Sequence, residues 1–417
     1  MATFKFVHAA DLHLDSPLRA PRATGRAVEL LRDATFRAFS RIVDLCLRER
    51  ADFLVLAGDL FDFKDSSVRA RLHLRRELQR LHEAGIATFI AHGNHDPLTP
   101  EAGALGLPAS VTVFGPAWSE VPVSRGGAVV CRVQGISYAQ ERVTEDLSRH
   151  FRRLGPEFTV AVLHANVGGH GAHANYAPCS LQELAARGLD YWALGHVHTR
   201  AEYPLGSGGV AVYPGNPQGR HVNEPGPRGC VLVEVDGGRS TTRFVPLEPV
   251  RWHRLGVDLS GCATVDALVA RVEDAVDEAC PEGFDAHALR LVLEGRGPLH
   301  RELSRPEGLA GLEEDLRGSL GARHPPVVLE SIEDRGRPEL DVEALRALGG
   351  LPAQVLEVAA QAAKSGAAFE ALWDAEELPK LEGALKRAQV RSPREDAQAL
   401  LEAACARALE LLAEEAP

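Results

Sequence analysis

Phe53-Leu54-Val55-Leu56-Ala57-Gly58-Asp59-Leu60-Phe61-Asp62 is the stretch on which the reading of this chain turns: five apolar residues, mostly β-prone, run straight into a glycine and two carboxylates. The same design recurs four times. Phe4–Ala9 leads to Asp11-Leu12-His13, Ala87–Ala91 to Gly93-Asn94-His95-Asp96, residues 159–163 to His164, and residues 191–194 to Gly195-His196-Val197-His198. Continuous apolar runs of this length suit strands buried on both faces. Short strand-to-loop turns along one sheet edge then aim all five blocks at one point, as a two-metal hydrolytic centre requires.

Working outward, residues 27–50, 67–84 and 142–154 place apolar side chains at three- and four-residue spacing, the pattern of helices that cover a sheet. Strands alternating with helices predict an α/β domain whose first sheet is largely parallel. Later runs at 210–213 and 230–235, set between glycine and proline turns such as Pro214-Gly215-Asn216-Pro217, read as antiparallel additions. The expected fold over 1–250 is a two-sheet α/β sandwich with helices outside. After Pro249 the order becomes strand 252–259, helix 265–279, strand 289–294, helix 307–320 and strand 327–332, a small α+β domain spanning 251–338. From 339 to 417 the chain reads as a helical tail; Ser392-Pro393-Arg394-Glu395 starts a helix that places Leu401, Cys405, Ala408 and Leu412 on one stripe.

At 417 residues the chain exceeds a single core, and 45% hydrophobic with 25% charged residues suits a globular protein. No apolar run approaches the roughly 18 residues of a membrane span, and the N-terminus opens on a strand, so a cytoplasmic location with no membrane contact is expected. Seven scattered cysteines without a CxxC pair indicate reduced thiols and argue against a thiolate zinc site. The net charge of -12 divides unevenly: residues 1–250 carry 27 basic and 26 acidic side chains, residues 251–417 carry 19 and 32. The acidity therefore lies outside the part that holds the five blocks, and a polyanionic substrate there is not excluded.

Two neighbouring hard or borderline cations need oxygen and imidazole ligands plus a carboxylate to bridge them. Asp59, on its glycine turn, is the bridge candidate. Asp11 and His13 lie two residues apart and in extended chain point the same way, and His196 and His198 repeat that spacing. Asn94 adds an amide oxygen and His164 an imidazole. The expected metal ligands are thus Asp11, His13, Asp59, Asn94, His164, His196 and His198. Two such cations lower the pKa of a water from about 15.7 toward neutrality and stabilise phosphoryl charge. His95 is placed to meet the scissile phosphate and protonate the leaving oxygen, worth typically 10²- to 10⁴-fold. Asp62 and Asp96 are expected to orient ligand imidazoles. Arg220 and His221 are candidate phosphate binders, with a solvated loop as the alternative. His170 and His173 read as exposed loop residues, and His8 and His92 as strand packing.

DxH, GDxxD, GNHD, a lone His and GHxH in this order resemble the calcineurin-like metallophosphoesterases. Ala10-Asp11-Leu12-His13-Leu14-Asp15-Ser16-Pro17-Leu18, the 56–62 block and Tyr213-Pro214-Gly215-Asn216-Pro217-Gln218-Gly219-Arg220 resemble its DNA-repair exonuclease branch, that of SbcD and YhaO-type proteins. Strong over residues 4–250 and weak to 335, the resemblance implies a two-manganese DNA nuclease, with Fe²⁺ or Zn²⁺ accepted by the same donors. It also implies a capping domain over 251–338 and C-terminal helices that attach to an SbcC-like coiled-coil ATPase, and a homodimer is compatible with it. Phe63-Lys64 after GDxxD and Asp96 after GNH depart from the Ser/Thr phosphatase pattern. Two alternatives stay open: a phosphomonoesterase or cyclic-nucleotide phosphodiesterase with the same centre, and a non-catalytic subunit whose metal site is structural.

Overall fold

The computed structural model describes residues 3–18, 26–62, 67–98, 106–169, 176–206, 208–339, 342–347 and 349–364, with 404–405 and 407–409 near the C-terminus. It falls into two compact units, one of residues 1–255, 273–291 and 313–333, the other of 256–272, 292–312 and 334–417.

The first unit opens with β1 (Phe4–Ala9), α1 (Arg26–Glu49), β2 (Phe53–Ala57), α2 (Val68–Glu83), β3 (Ala87–Ala91) and β4 (Val111–Val113). There follow β5 (Ser119–Arg125), β6 (Ala128–Gly135), β7 (Phe158–His164), α3 (Leu181–Ala186), β8 (Tyr191–Gly195), β9 (Ala201–Pro204), β10 (Val210–Tyr213), β11 (Gly229–Asp236) and β12 (Arg239–Pro246). Two six-stranded sheets result, ordered β12-β11-β1-β2-β3-β4 and β5-β6-β7-β8-β10-β9. The expected two-sheet sandwich is therefore the observed one. Phe6, Phe53, Val55 and Phe89 of the first sheet pack with Val133, Val160, Val162, Tyr191 and Val212 of the second, all buried. On the outer face of the first sheet, Leu54 and Leu56 pack with Phe39, Ile42, Val43 and Leu74 of α1 and α2. Burial on both faces is why these strands carry no hydrophobic alternation.

The first sheet is parallel through β1 to β4, and β11 pairs antiparallel with β1, as expected. Two expectations need correction. The run at 210–213 pairs antiparallel with β9, as expected, but on its other side it is parallel to β8. Residues 142–154 form no α-helix; there is one 3₁₀ turn at Leu147–His150. The Asp146 carboxylate caps this turn, accepting from the Ser148 backbone N–H (2.9 Å) and hydroxyl (2.6 Å), and the turn ends at Phe151, whose backbone is extended. Val143, Leu147 and Phe151, whose spacing suggested the helix, are buried beside Tyr138 and Trp192. Their periodicity reports burial, not helix.

Further on come β13 (Val250–Asp258), α4 (Val265–Ala279), β14 (Ala286–Glu294), β15 (Arg296–Gly297), α5 (His300–Leu303), α6 (Pro306–Gly321), β16 (Val327–Asp334) and β17 (Arg337–Pro338), with β13-β14-β16 forming a three-stranded sheet. This matches the strand and helix order expected after Pro249. α7 (Val342–Ala347) and α8 (Gly350–Lys364) are helical, as are Cys405 and Ala408. Residues 392–395, Leu401 and Leu412 lie outside the described residues. Among the described residues, no helix is long and apolar enough to cross a membrane.

Candidate metal centre

The blocks after β1, β2, β3, β7 and β8 meet at the carboxyl ends of these strands, drawn from both sheets. The loops after β1 and β2 run together: Asp11 N–H donates to the Gly58 carbonyl and His13 N–H to the Asp59 carbonyl, each 3.0 Å. Asp11, His13, Asp59 and His196 sit at φ 54°, 42°, 52° and 99°. Left-handed backbone in non-glycine residues costs about 1–3 kcal/mol each and persists only where surroundings enforce it. Glycine is required nearby for space: a Cβ on Gly93 would meet Asp59 Oδ1 at 2.3 Å, and one on Gly195 would meet the Ala57 carbonyl at 1.8 Å.

Ligand atoms of Asp11, His13 and His198 lie within 4.8 Å of one another, as do those of Asp11, Asp59 and His164. His13 Nε2 is 3.2 Å from His198 Nε2 and 4.0 Å from Asp59 Oδ2, whose distance to His164 Nε2 is 3.3 Å. Asp59 thus stands between the two groups, and Asp11 belongs to both. Asn94 Oδ1 is 3.0 Å from His164 Nε2. His196 gives its backbone N–H to both Asp11 oxygens (3.0 and 3.2 Å), and its ring stands edge-on to His164 at 5.2 Å. Its ring nitrogens are not in either convergent group.

The outward nitrogens of three rings are held by protein oxygens: His13 Nδ1 by Asp62 (2.8 Å), His198 Nδ1 by Glu224 (2.6 Å) and His164 Nδ1 by the Ala57 carbonyl (3.0 Å). Such acceptors bond the Nδ1–H and turn Nε2 inward as the nitrogen that would meet a metal, so the donor set fits divalent cations. Electrostatics agree. Burial works to depress the His164 pKa, yet the Asp59 and Asp11 carboxylates outweigh it and hold it at about 9, so this pocket favours positive charge. His13, where burial dominates, is shifted below its usual value.

Asp62 faces more than His13. Its Oδ1 also faces His95 Nδ1 (3.0 Å), which raises the His95 pKa, and its Oδ2 accepts from Arg220 (3.0 Å). Asp96 departs from expectation, because it orients no ligand imidazole. Its carboxylate accepts from the backbone N–H groups of Gly93 (2.8 Å), Asp59 (3.2 Å) and Leu60 (2.8 Å) and meets His92 Nδ1 at 3.1 Å. The reason is its place just inside two tight turns whose N–H groups have no strand partner. His8 is buried against Tyr191 and His92 against Asp96, as packing residues. Arg220 also donates to Ser16 (3.2 Å), and His221 Nε2 lies 3.6 Å from Glu224. His170 and His173 lie outside the described residues.

Glu224 escaped the sequence reading. Burial opposes its charge, but His198 and the Arg220 backbone N–H hold its pKa well below the usual carboxylate range. Asn216, in the turn that suggested the repair branch, donates to it (2.9 Å), and Arg228 binds Asn216 Oδ1 (2.9 Å) and the His198 carbonyl. That turn therefore builds the support of His198.

Residues 4–200 match the calcineurin-like phosphoesterase family, and residues 252–337 match the middle domain of metallophosphoesterase YhaO. The chain is 35% identical over 303 residues to the uncharacterized metallophosphoesterase YhaO of Bacillus subtilis, covering 70% of this chain and 72% of that one. It is 25% identical over 260 residues to the DNA double-strand break repair protein Mre11 of Sulfurisphaera tokodaii, covering 60% and 64%. With Mre11 of Aeropyrum pernix the identity is 28% over 286 residues, covering 64% and 66%.

Proposed function

From the premise that the chain belongs to the calcineurin-like metallophosphoesterases, in the branch of YhaO and Mre11, and is a metal-dependent phosphoester hydrolase, we propose that it is a DNA nuclease. The observation that supports its metal chemistry most is the set of three imidazoles whose outer nitrogens are each held by a protein oxygen, leaving Nε2 turned inward. Asp11, His13, Asp59, Asn94, His164, His196 and His198 would hold two divalent cations; Mn²⁺ suits the branch, and Fe²⁺ and Zn²⁺ suit the donors. When bound, the cations supply charge against the phosphoryl oxygens and an acidified water.

The chain's own groups do the rest. Asp62 holds His95 Nδ1 at 3.0 Å, and the His95 side chain is 47% exposed beside the cluster, leaving Nε2 to protonate the departing oxygen. Arg220, on Asp62, neutralises that carboxylate and presents positive charge to a phosphate. Within the same reading residues 1–250 form the nuclease domain, 251–338 the cap and 339–417 the surface for a coiled-coil ATPase, with homodimer formation compatible.

The test is hydrolysis of linear duplex DNA beside a small phosphodiester and a phosphomonoester, in stripped protein reloaded with Mn²⁺. DNA cleavage is expected, lost with its metal in Asp59→Asn, and reduced about 10²- to 10⁴-fold with metal retained in His95→Ala. Turnover of the monoester alone would make the protein a phosphatase. No turnover with both metals bound would make the centre structural.

A further inference from the structure

Apart from the candidate dimetal centre, His253 on β13, Cys280 just after α4 and His287 on β14 bring ligand atoms within 4.8 Å of one another. His253 Nε2 and His287 Nδ1 are 2.9 Å apart. His287 is fully buried, and its Nε2 lies 3.0 Å from the Pro281 carbonyl. A carbonyl only accepts, so Nε2 carries the proton and Nδ1 of the neutral ring is a lone pair aimed at His253. Metal-binding histidines are held in this way, their outer N–H tied to a carbonyl or carboxylate. The residue that supplies this carbonyl follows Cys280 directly, and the Cys280 N–H is itself bonded to Val276 O at 2.9 Å. One turn thus places the thiol and orients the imidazole.

We propose that His253, Cys280 and His287 form a zinc site, independent of the dimetal centre. Two imidazoles and one thiolate are a donor set for a thiophilic cation, with a fourth tetrahedral position left for water. On binding, the Cys280 S–H bond breaks, a Zn–S bond forms and the proton passes to solvent; His253 shifts its own proton from Nε2 to Nδ1. Burial pushes the Cys280 thiol up to about 11, so the cation itself must drive off that proton as it binds. Burial lowers the pKa of His253 to about 4 and also lowers that of His287, so both rings are neutral at pH 7 and no proton has to leave them. Arg251, the cation that would oppose a metal, is paired with Glu248 (2.7 Å from Nε) and covers the Phe284 ring at 4.3 Å. Sequence spacing concealed the site, because its ligands include a single cysteine and a histidine 27 residues upstream.

Cobalt titration of the full chain tests this, since a thiolate-to-cobalt charge-transfer band in the near ultraviolet reports cysteine ligation and the dimetal candidates include no cysteine. A band saturating at one Co²⁺ per chain and displaced by Zn²⁺ is expected. Cys280→Ser should abolish it, His253→Gln should weaken Co²⁺ affinity at least tenfold, and Asp59→Asn should leave it intact. No band in the native chain, or a band that survives Cys280→Ser, would show that His253 and His287 share only a hydrogen bond. A band lost in Asp59→Asn would also overturn the proposal.

Discussion

Glu224 Oε1 lies 2.6 Å from Nδ1 of His198, on the far side of the ring whose Nε2 meets His13 Nε2 at 3.2 Å. A carboxylate in that position fixes the ring's tautomer and raises its basicity.

Replacing Glu224 by Gln keeps the volume and removes the charge. The expected result is a metal affinity weaker by about 10- to 100-fold, with activity recovered at high Mn²⁺. Activity against buffered free Mn²⁺ measures it; an unshifted midpoint would show that Glu224 serves only the turn.

A methyl group at Gly195 would fall 1.8 Å from the Ala57 carbonyl, a backbone atom that also holds His164 Nδ1 at 3.0 Å. Gly195→Ala must therefore push β8 from β2. We expect a loss of about 1–3 kcal/mol in urea unfolding, as for other overpacked cores, together with a loss of hydrolysis. Native stability in this variant would contradict the close approach.

His8 is fully buried, its Nδ1 3.0 Å from the Tyr191 hydroxyl, and burial pushes its pKa from 6.5 down to about 3. Between these values the unfolded chain binds a proton that the folded one does not. Its contribution to stability is therefore full above pH 6.5 and is lost as the pH falls toward 3, by about 1.4 kcal/mol per pH unit. Unfolding free energies from pH 7 to 4 should fall less steeply in His8→Asn than in the native chain. Parallel slopes would mean that the native ring is already protonated.

The buried Asp11 and Asp59 carboxylates face one another's imidazole partners within the metal centre, so a cation bound only by the folded state stabilises it by mass action, about 2.7 kcal/mol at a hundredfold excess over Kd. Melting in chelator should occur at lower temperature than in Mn²⁺. Asp59→Asn should remove most of that difference, and an equal difference in both proteins would place the stabilising metal elsewhere.

Where sequence reading worked, the signal was local. The runs at 4–9, 53–57 and 87–91 became β1, β2 and β3 with unchanged ends, because burial on both faces demands unbroken apolar sequence. Where it failed, a distant or competing group decided. The chain turned extended at Phe151 inside 142–154, β10 took β8 as a parallel neighbour beside its antiparallel partner β9, and backbone N–H groups claimed Asp96.

The amino-acid sequence alone determined the strand-ending blocks, the α/β class and the residue types offered to a metal, since each depends on a few neighbours along the chain. Only the tertiary structure decided that His13 would meet His198 across 185 residues, that Asp62 would serve both His13 and His95, and that Glu224 would stand behind His198. Those pairings depend on which strands lie side by side, and no local pattern encodes the partner of a buried imidazole.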